Sequence, residues 1–366
     1  MEVRMQYREE EFTARMQYDI QKCYRRARSR MCSEIEDGER KKIFHYTSAE
    51  GFYNIIRNKQ FFLTDVAFLN DSTEMANIIT VFQMTIKTLR SSLEADFYQC
   101  LIDLLERDDF DYLFFGSEEP DSQRYFVLAC SYEKDSLNLW NYYTKGNEND
   151  GGYNITFDKQ ELVDSFEACN RRFYGDDMSL SFGRIVYDEK TKIYIISSFL
   201  FDLNEAWKMA KKQDERDTLE KESQKKLLLG AIKAAIRWLS IFFKHECFAI
   251  EREYRIILAL PNSKLTKYCS CREPGVERLY KIRFTNNMFT PYVKLGFQPS
   301  GVKGVCMSPL CEKYVTEYRL REEFTNTDNG MEMRDVLQYG VHEFLRIHGY
   351  DLKYSQIQRS EIPLRF

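Results

Sequence analysis

Short runs of strand character recur from residue 41 to the C-terminus with amphipathic helical segments set between them. That alternation restricts the chain to a mixed α and β architecture more than any single motif does. "KKIFHY" hands over to "TSAEGFYNIIRN", where Phe52, Ile55 and Ile56 give a helical apolar face and Thr47 with Glu50 fits a capping box. "FFLT" follows, and after "NDSTEM" a long helix repeats Ile78, Phe82, Ile86 and Leu89 at helical spacing. Beyond an acidic loop come the strands "RYFVLACSY" and "YNITF", the apolar runs "FGRIVYD" and "KIYIISSFLF", and a helix with the apolar face Leu228, Ile232, Ala235, Leu239 and Phe242. Strand character returns in "EYRIILAL", "RLYKIRF" and "PYVKLGF"; "GVKGVCMSPL" and a helix around "DVLQYGVHEFLRIHGY" complete the chain.

The first 40 residues differ from this pattern. They are rich in Arg and Glu, include the basic run "KCYRRARSRM", and read as one or two helices with a solvated face. Seven prolines in 366 residues leave no linker. The expected division is therefore an N-terminal helical extension over residues 1–40 and a single α+β unit with helical insertions over 41–366. With 27 Phe and 24 Tyr the composition is that of a folded chain. A net charge of −4 gives no overall attraction to nucleic acid or an anionic membrane, and leaves only local basic segments such as "YRRARSR" as contacts for a nucleic acid backbone.

The opening "MEVRMQYREEEF" is too charged for a secretory leader, and no apolar run approaches the roughly 20 residues of a membrane span, so a cytoplasmic location with no membrane partner is expected. The ten cysteines are sparse and read as reduced thiols. His245 with Cys247, and Cys269 with Cys271, stand one residue apart, which does not suit zinc, and no metal is expected.

Four clusters carry polar chemistry. His45, Tyr46, Thr47 and Ser48 lie where a strand meets a helix N-terminus, whose backbone N–H groups attract phosphate or ribose oxygens. Asn70, Asp71 and Glu74 fit an acidic helix cap. Trp140, Tyr142 and Tyr143, beside Gly151 and Gly152, offer rings that stack on a planar group or pack in a core. In "AIEREYRIIL", Glu251, Glu253 and Arg255 alternate, so on a strand they share one face.

Taken in order, "FHYTS", "FLNDSTE", "LWNYY", "EREYR" and "GVKGVCMSP" resemble a bacterial family known only as a domain of unknown function, over about residues 41–366. Ser72 stands where many members have proline and Leu139 where they often have methionine. More remotely the pattern resembles the ADP-ribosyltransferase superfamily. That resemblance implies a split mixed β-sheet clasping NAD as co-substrate, with a histidine on the first core strand and a glutamate on a late one. Carried onto this sequence, His45 would hold a ribose or the nicotinamide amide with Tyr46, Thr47 and Ser48 beside it. Tyr143 or Trp140 would stack on nicotinamide, Glu253 would be catalytic with Glu251 as the first acid, Asp71 and Arg255 would either support the residues that touch the cofactor or serve the phosphate region, and Asn70 would join the cofactor-binding set.

The residue types suit that chemistry. Cleaving the nicotinamide glycosidic bond builds oxocarbenium character that a fixed carboxylate stabilises, and a second carboxylate orients the acceptor. The resemblance thus implies a toxin or phage-defence effector modifying RNA, DNA or protein, restrained by an antitoxin or immunity partner. Hydrolysis of NAD in the same cleft and a non-catalytic nucleotide-binding module are the alternatives. A Mg2+ nuclease built on Asp71, Glu74, Glu251 and Glu253 lacks a lysine at the usual spacing.

Overall fold

The computed structural model describes residues 22, 25–36, 40–69, 74–107, 123–144, 151–213, 218–263, 265, 280–285, 287–311 and 333–363. In chain order the elements are β1 (Lys42–Ser48), α1 (Ala49–Asn58), β2 (Gln60–Asp65), α2 (Glu74–Thr88), α3 (Ala95–Arg107), β3 (Gln123–Ser131), α4 (Leu137–Tyr143), β4 (Gly152–Asp158), α5 (Lys159–Tyr174) and β5 (Ser179–Arg184). They continue with α6 (Glu189–Gln213), α7 (Thr218–Ser240), β6 (Glu253–Pro261), β7 (Tyr280–Thr285), β8 (Met288–Gly296), β9 (Val302–Met307), α8 (Met333–Ile347) and β10 (Ile357–Arg359).

The chain divides into two compact units. Met1–Asp37, Leu69–Ser117 and Gly183–Ala249 form one; Gly38–Phe68, Glu118–Phe182 and Ile250–Phe366 form the other. Residues 25–36 and the two helical insertions are thus parts of one body, assembled from three stretches of chain. In it α2 packs against α6 and α7, and α3 against α7. Arg30 pairs with Asp202 at 3.1 Å, and the Asn204 side chain accepts from the Glu94 amide at 2.9 Å. Ile35 crowds Gly183, where an added Cβ would stand 2.2 Å from the Ile35 side chain.

The second unit is α+β, as expected. Its mixed sheet runs β10-β9-β4-β1-β3-β2-β8-β7, with β6 pairing β3 and β5 off that path. β10 is parallel to β9, and β1 is antiparallel to β3 and β4, β3 to β2 and β6, and β8 to β2 and β7. One face carries the main core. Ile43, Phe61, Leu63, Phe126, Leu128, Tyr254, Ile256 and Leu258 meet Phe52 and Ile56 of α1, Leu162 and Phe166 of α5, and Val341 and Leu345 of α8 there. Alternate residues on these strands point the other way. β6 is buried along all but its last residue, which is why it reads as a continuous apolar run after its two charged residues.

β3 holds this sheet together and also splits it. Along one edge it pairs β6 from Gln123 to Ser131. Along the other it pairs β1 only at Ser131, with Phe44, and β2 only at Val127 and Phe126, with Thr64 and Asp65. Between those contacts lie residues 128–130, where β1 and β2 part.

Candidate functional site

The interval between β1 and β2 explains His45. Its Nδ1 lies 3.0 Å from the Ala129 carbonyl oxygen, so the ring donates there, within the stretch of β3 that neither β1 nor β2 pairs. The ring also stands edge-on to Phe61, with centroids 5.1 Å apart. Burial pulls its pKa below the usual value, against the raising effect of the Ala129 hydrogen bond, so the imidazole is neutral and Nε2 is an acceptor.

The acidic cluster forms at the C-terminal end of β3, two residues beyond Ala129. Glu253 begins β6 opposite Ser131, and its carboxylate takes two hydrogen bonds from Arg255, at 2.6 Å to Nε and 3.1 Å to Nη2. Both residues are buried, at 6% and 2% exposure. Two parallel N–H···O bonds to one carboxylate hold its orientation as well as its charge. Glu251 is not on the strand, contrary to the expected alternation. It ends a 3₁₀ turn, Glu246–Glu251, and Arg252 then adopts φ 42°, a left-handed conformation that costs a non-glycine residue about 1–3 kcal/mol.

That turn is held from several sides. The Ser131 hydroxyl donates to the Glu251 carbonyl at 2.6 Å, the Tyr132 amide to the Arg252 carbonyl at 3.0 Å, and the Arg252 guanidinium pairs with Glu133. The two carboxylates are therefore brought together by a kinked backbone rather than by a strand's period of two.

Tyr143 completes the cluster, its hydroxyl donating to Glu251 Oε1 at 3.3 Å. Burial first, then the negative charges of Glu251 and Glu253, push the Tyr143 phenol far above its usual pKa, so it stays a donor. Two carboxylates, a guanidinium and a phenol thus share one small, largely desolvated volume at the end of β3. Such a group can stabilise positive charge developing on a bound molecule.

The remaining predicted site residues separate from this cluster. Phe44, not His45, is level with Ser131 and hence with Glu253, so His45 points to the opposite sheet face from Glu253. His45 and Glu253 therefore lie on opposite faces of the sheet. Tyr46 is buried: its hydroxyl donates to the Glu133 carbonyl at 2.8 Å and accepts from the Ser136 amide at 3.1 Å. Trp140 is 1% exposed, packs edge-on to Tyr46 and donates to Asp135 at 2.6 Å, so it is core and no open stacking platform.

Ser48, not Thr47, caps α1, accepting from the Gly51 amide at 3.1 Å. Thr47 instead packs on the bare face of Gly51, where an added Cβ would stand 2.1 Å from Thr47 Oγ1. Gly152 is similarly constrained, by Thr144 at 2.1 Å. Asn70 and Asp71 lie outside the described residues, as do Cys269 and Cys271. Ser131 and the turn at Arg252 carry no local sequence signal, since the first acts through a hydroxyl bond to a residue 120 positions away and the second through a backbone dihedral. Among the described residues no group of three or more His, Cys, Asp or Glu is arranged to hold a metal ion, and no helix is long and apolar enough to cross a membrane.

Comparison with curated proteins and with solved structures returns no match. A family model described as a protein of unknown function, DUF2971, matches residues 139–256, a segment that runs from α4 through the Glu251–Glu253–Arg255 cluster and so includes Tyr143 with its carboxylate partner.

Proposed function

We propose that the chain is an NAD-dependent ADP-ribosyltransferase, a toxin or defence effector that transfers ADP-ribose to a macromolecule, with its chemistry centred on Glu251. The observation that carries this reading is the meeting of Tyr143 with Glu251 beside the Arg255-clamped Glu253. Breaking the bond between nicotinamide and ribose moves positive charge onto the ribose, and a carboxylate held in a desolvated site stabilises it. Glu253, with both oxygens engaged by Arg255, acts as a positioning residue that fixes the turn and the local charge. Glu251 then takes the direct role that the sequence pattern had suggested for Glu253. The neutral imidazole of His45 holds β1 to β3 from the opposite face rather than touching the same ribose.

Incubation of the full chain with NAD labelled in its adenosine half, with and without cell lysate, tests this. Wild type is expected to release nicotinamide and pass label to a macromolecule, and Glu251→Gln to slow both by about a hundredfold or more, equivalent to about 3 kcal/mol. Nicotinamide release without label transfer would make the protein an NAD hydrolase. Failure of wild type to consume NAD, or equal rates in Glu251→Gln, would overturn the proposal.

A further inference from the structure

The half of the sheet formed by β2, β8 and β7 carries basic and aromatic residues on a single face. The register sets Lys281, Tyr292, Thr64, Val127 and Ile257 in one row across five strands, and Ile257 shares its face with Glu253 and Arg255 along β6. Phe62, Lys294 and Arg283 flank that row on the same face. Phe62 lies 4.6 Å from the Tyr292 ring at 32° and is 39% exposed, with the Lys294 ammonium 5.6 Å from its centroid.

Arg283 is the informative member. Its Nη2 donates to Thr64 Oγ1 at 2.9 Å and its guanidinium lies 5.8 Å from the Tyr292 ring, yet its Nε is buried with no acceptor. No carboxylate pairs with it among the described residues. A half-buried guanidinium with a neutral hydroxyl and a ring for company is short of negative charge, and burial draws its pKa down accordingly. An arriving anion would supply what the fold withholds.

We infer that this face binds a single-stranded nucleic acid, Arg283 and its neighbouring lysines taking backbone phosphates and Phe62 stacking on a base. A free phosphate would have no use for the exposed ring, and a duplex keeps its bases stacked on each other rather than on protein. As the surface that presents the acceptor, this rests on the transferase reading above; the binding itself needs no NAD.

Fluorescence anisotropy on the full chain, with labelled oligo-dT, oligo-U and a duplex of equal length over a KCl series, tests it. Three cations on phosphates predict a slope of log affinity against log salt near −2, at about −0.7 each. Arg283→Gln is expected to weaken binding about tenfold and flatten the slope by about 0.7. Phe62→Ala is expected to weaken binding about tenfold with the slope unchanged, and keeps the test open if the arginine variant does not fold. The duplex is expected to bind less tightly than either single strand.

Absence of single-strand binding, or binding that neither Phe62→Ala nor a folded Arg283→Gln changes, overturns the inference. The two proposals fail separately. Oligonucleotide binding that follows Arg283 and Phe62 in a chain that leaves NAD intact upholds this one and rejects the transferase. NAD-dependent labelling of protein with no oligonucleotide binding does the reverse.

Discussion

Replacing Arg255 by methionine should destabilise the sheet far more than the loss of an ordinary ion pair. At an effective dielectric constant of about 20, charges about 3 Å apart attract by about 5–6 kcal/mol, and burying both offsets much of that gain. Removing one partner leaves the other buried and uncompensated, which costs about 3–5 kcal/mol. Glu253 sits at 6% exposure with both oxygens on Arg255, so Arg255→Met should fall in that range. Glu253→Leu combined with Arg255→Met removes both charges while keeping side-chain volume, and should return to within about 1–2 kcal/mol of wild type. Amide exchange in peptides covering 123–131 and 253–261 reads the opening free energy of these two strands directly. A loss below about 1 kcal/mol in Arg255→Met, or a double variant as unstable as the two singles summed, would refute the claim that the pair is a mutually dependent buried unit.

Two further outcomes follow from the strand-to-helix junction at β1. Gly51→Ala should cost about 1–3 kcal/mol although alanine favours helix, because its Cβ would stand 2.1 Å from Thr47 Oγ1; adding Thr47→Ala should recover most of it in a denaturant titration, and no recovery would mean the clash is not the cause. His45 has a lowered pKa in the fold, so the unfolded chain binds its proton more readily. Its contribution is whole above histidine's usual value of 6.5 and shrinks as pH falls toward the lower folded value, by up to about 1.4 kcal/mol per unit of displacement. Denaturation midpoints at about pH 7.5 and about pH 5.5 should therefore differ more in wild type than in His45→Gln, and equal differences would exclude this linkage.

The elements were legible where one period dominates. β6, β7 and β8 and the helices α2, α7 and α8 stand where alternation or a helical apolar stripe placed them. "KIYIISSFLF" could not be typed from its apolarity alone, and it lies in α6, where Ile195, Ile196, Phe199 and Leu200 are all buried. The grouping of three separate stretches into a helical unit has no local signature, because each amphipathic face names no partner. The site was legible in its residue types and not in its geometry. Glu251, Glu253 and Arg255 stand out in the sequence as a set, but the turn at Arg252 that joins them depends on a dihedral angle. Tyr46 and Trp140 look like ligand groups until Cys306 and Ile362, far along the chain, are seen to close over them. His45 has meaning only once β1 and β2 are known to part beside Ala129.

The central position of β3 has a consequence for how the protein is made. β3 is complete in the growing chain at Ser131, but its full-length neighbour ends at Pro261 and β2 waits until Gly296 for β8. At about 5–20 residues per second, a ribosome takes roughly 6–26 seconds to cover the stretch from Ser131 to Pro261. Throughout that time β3 is held by one residue of β1 and two of β2, with its long edge open to any other extended chain. The strand against which the acidic cluster later closes is therefore the segment most in need of shielding before release, and the cluster cannot assemble until about seven-tenths of the polypeptide has been synthesised.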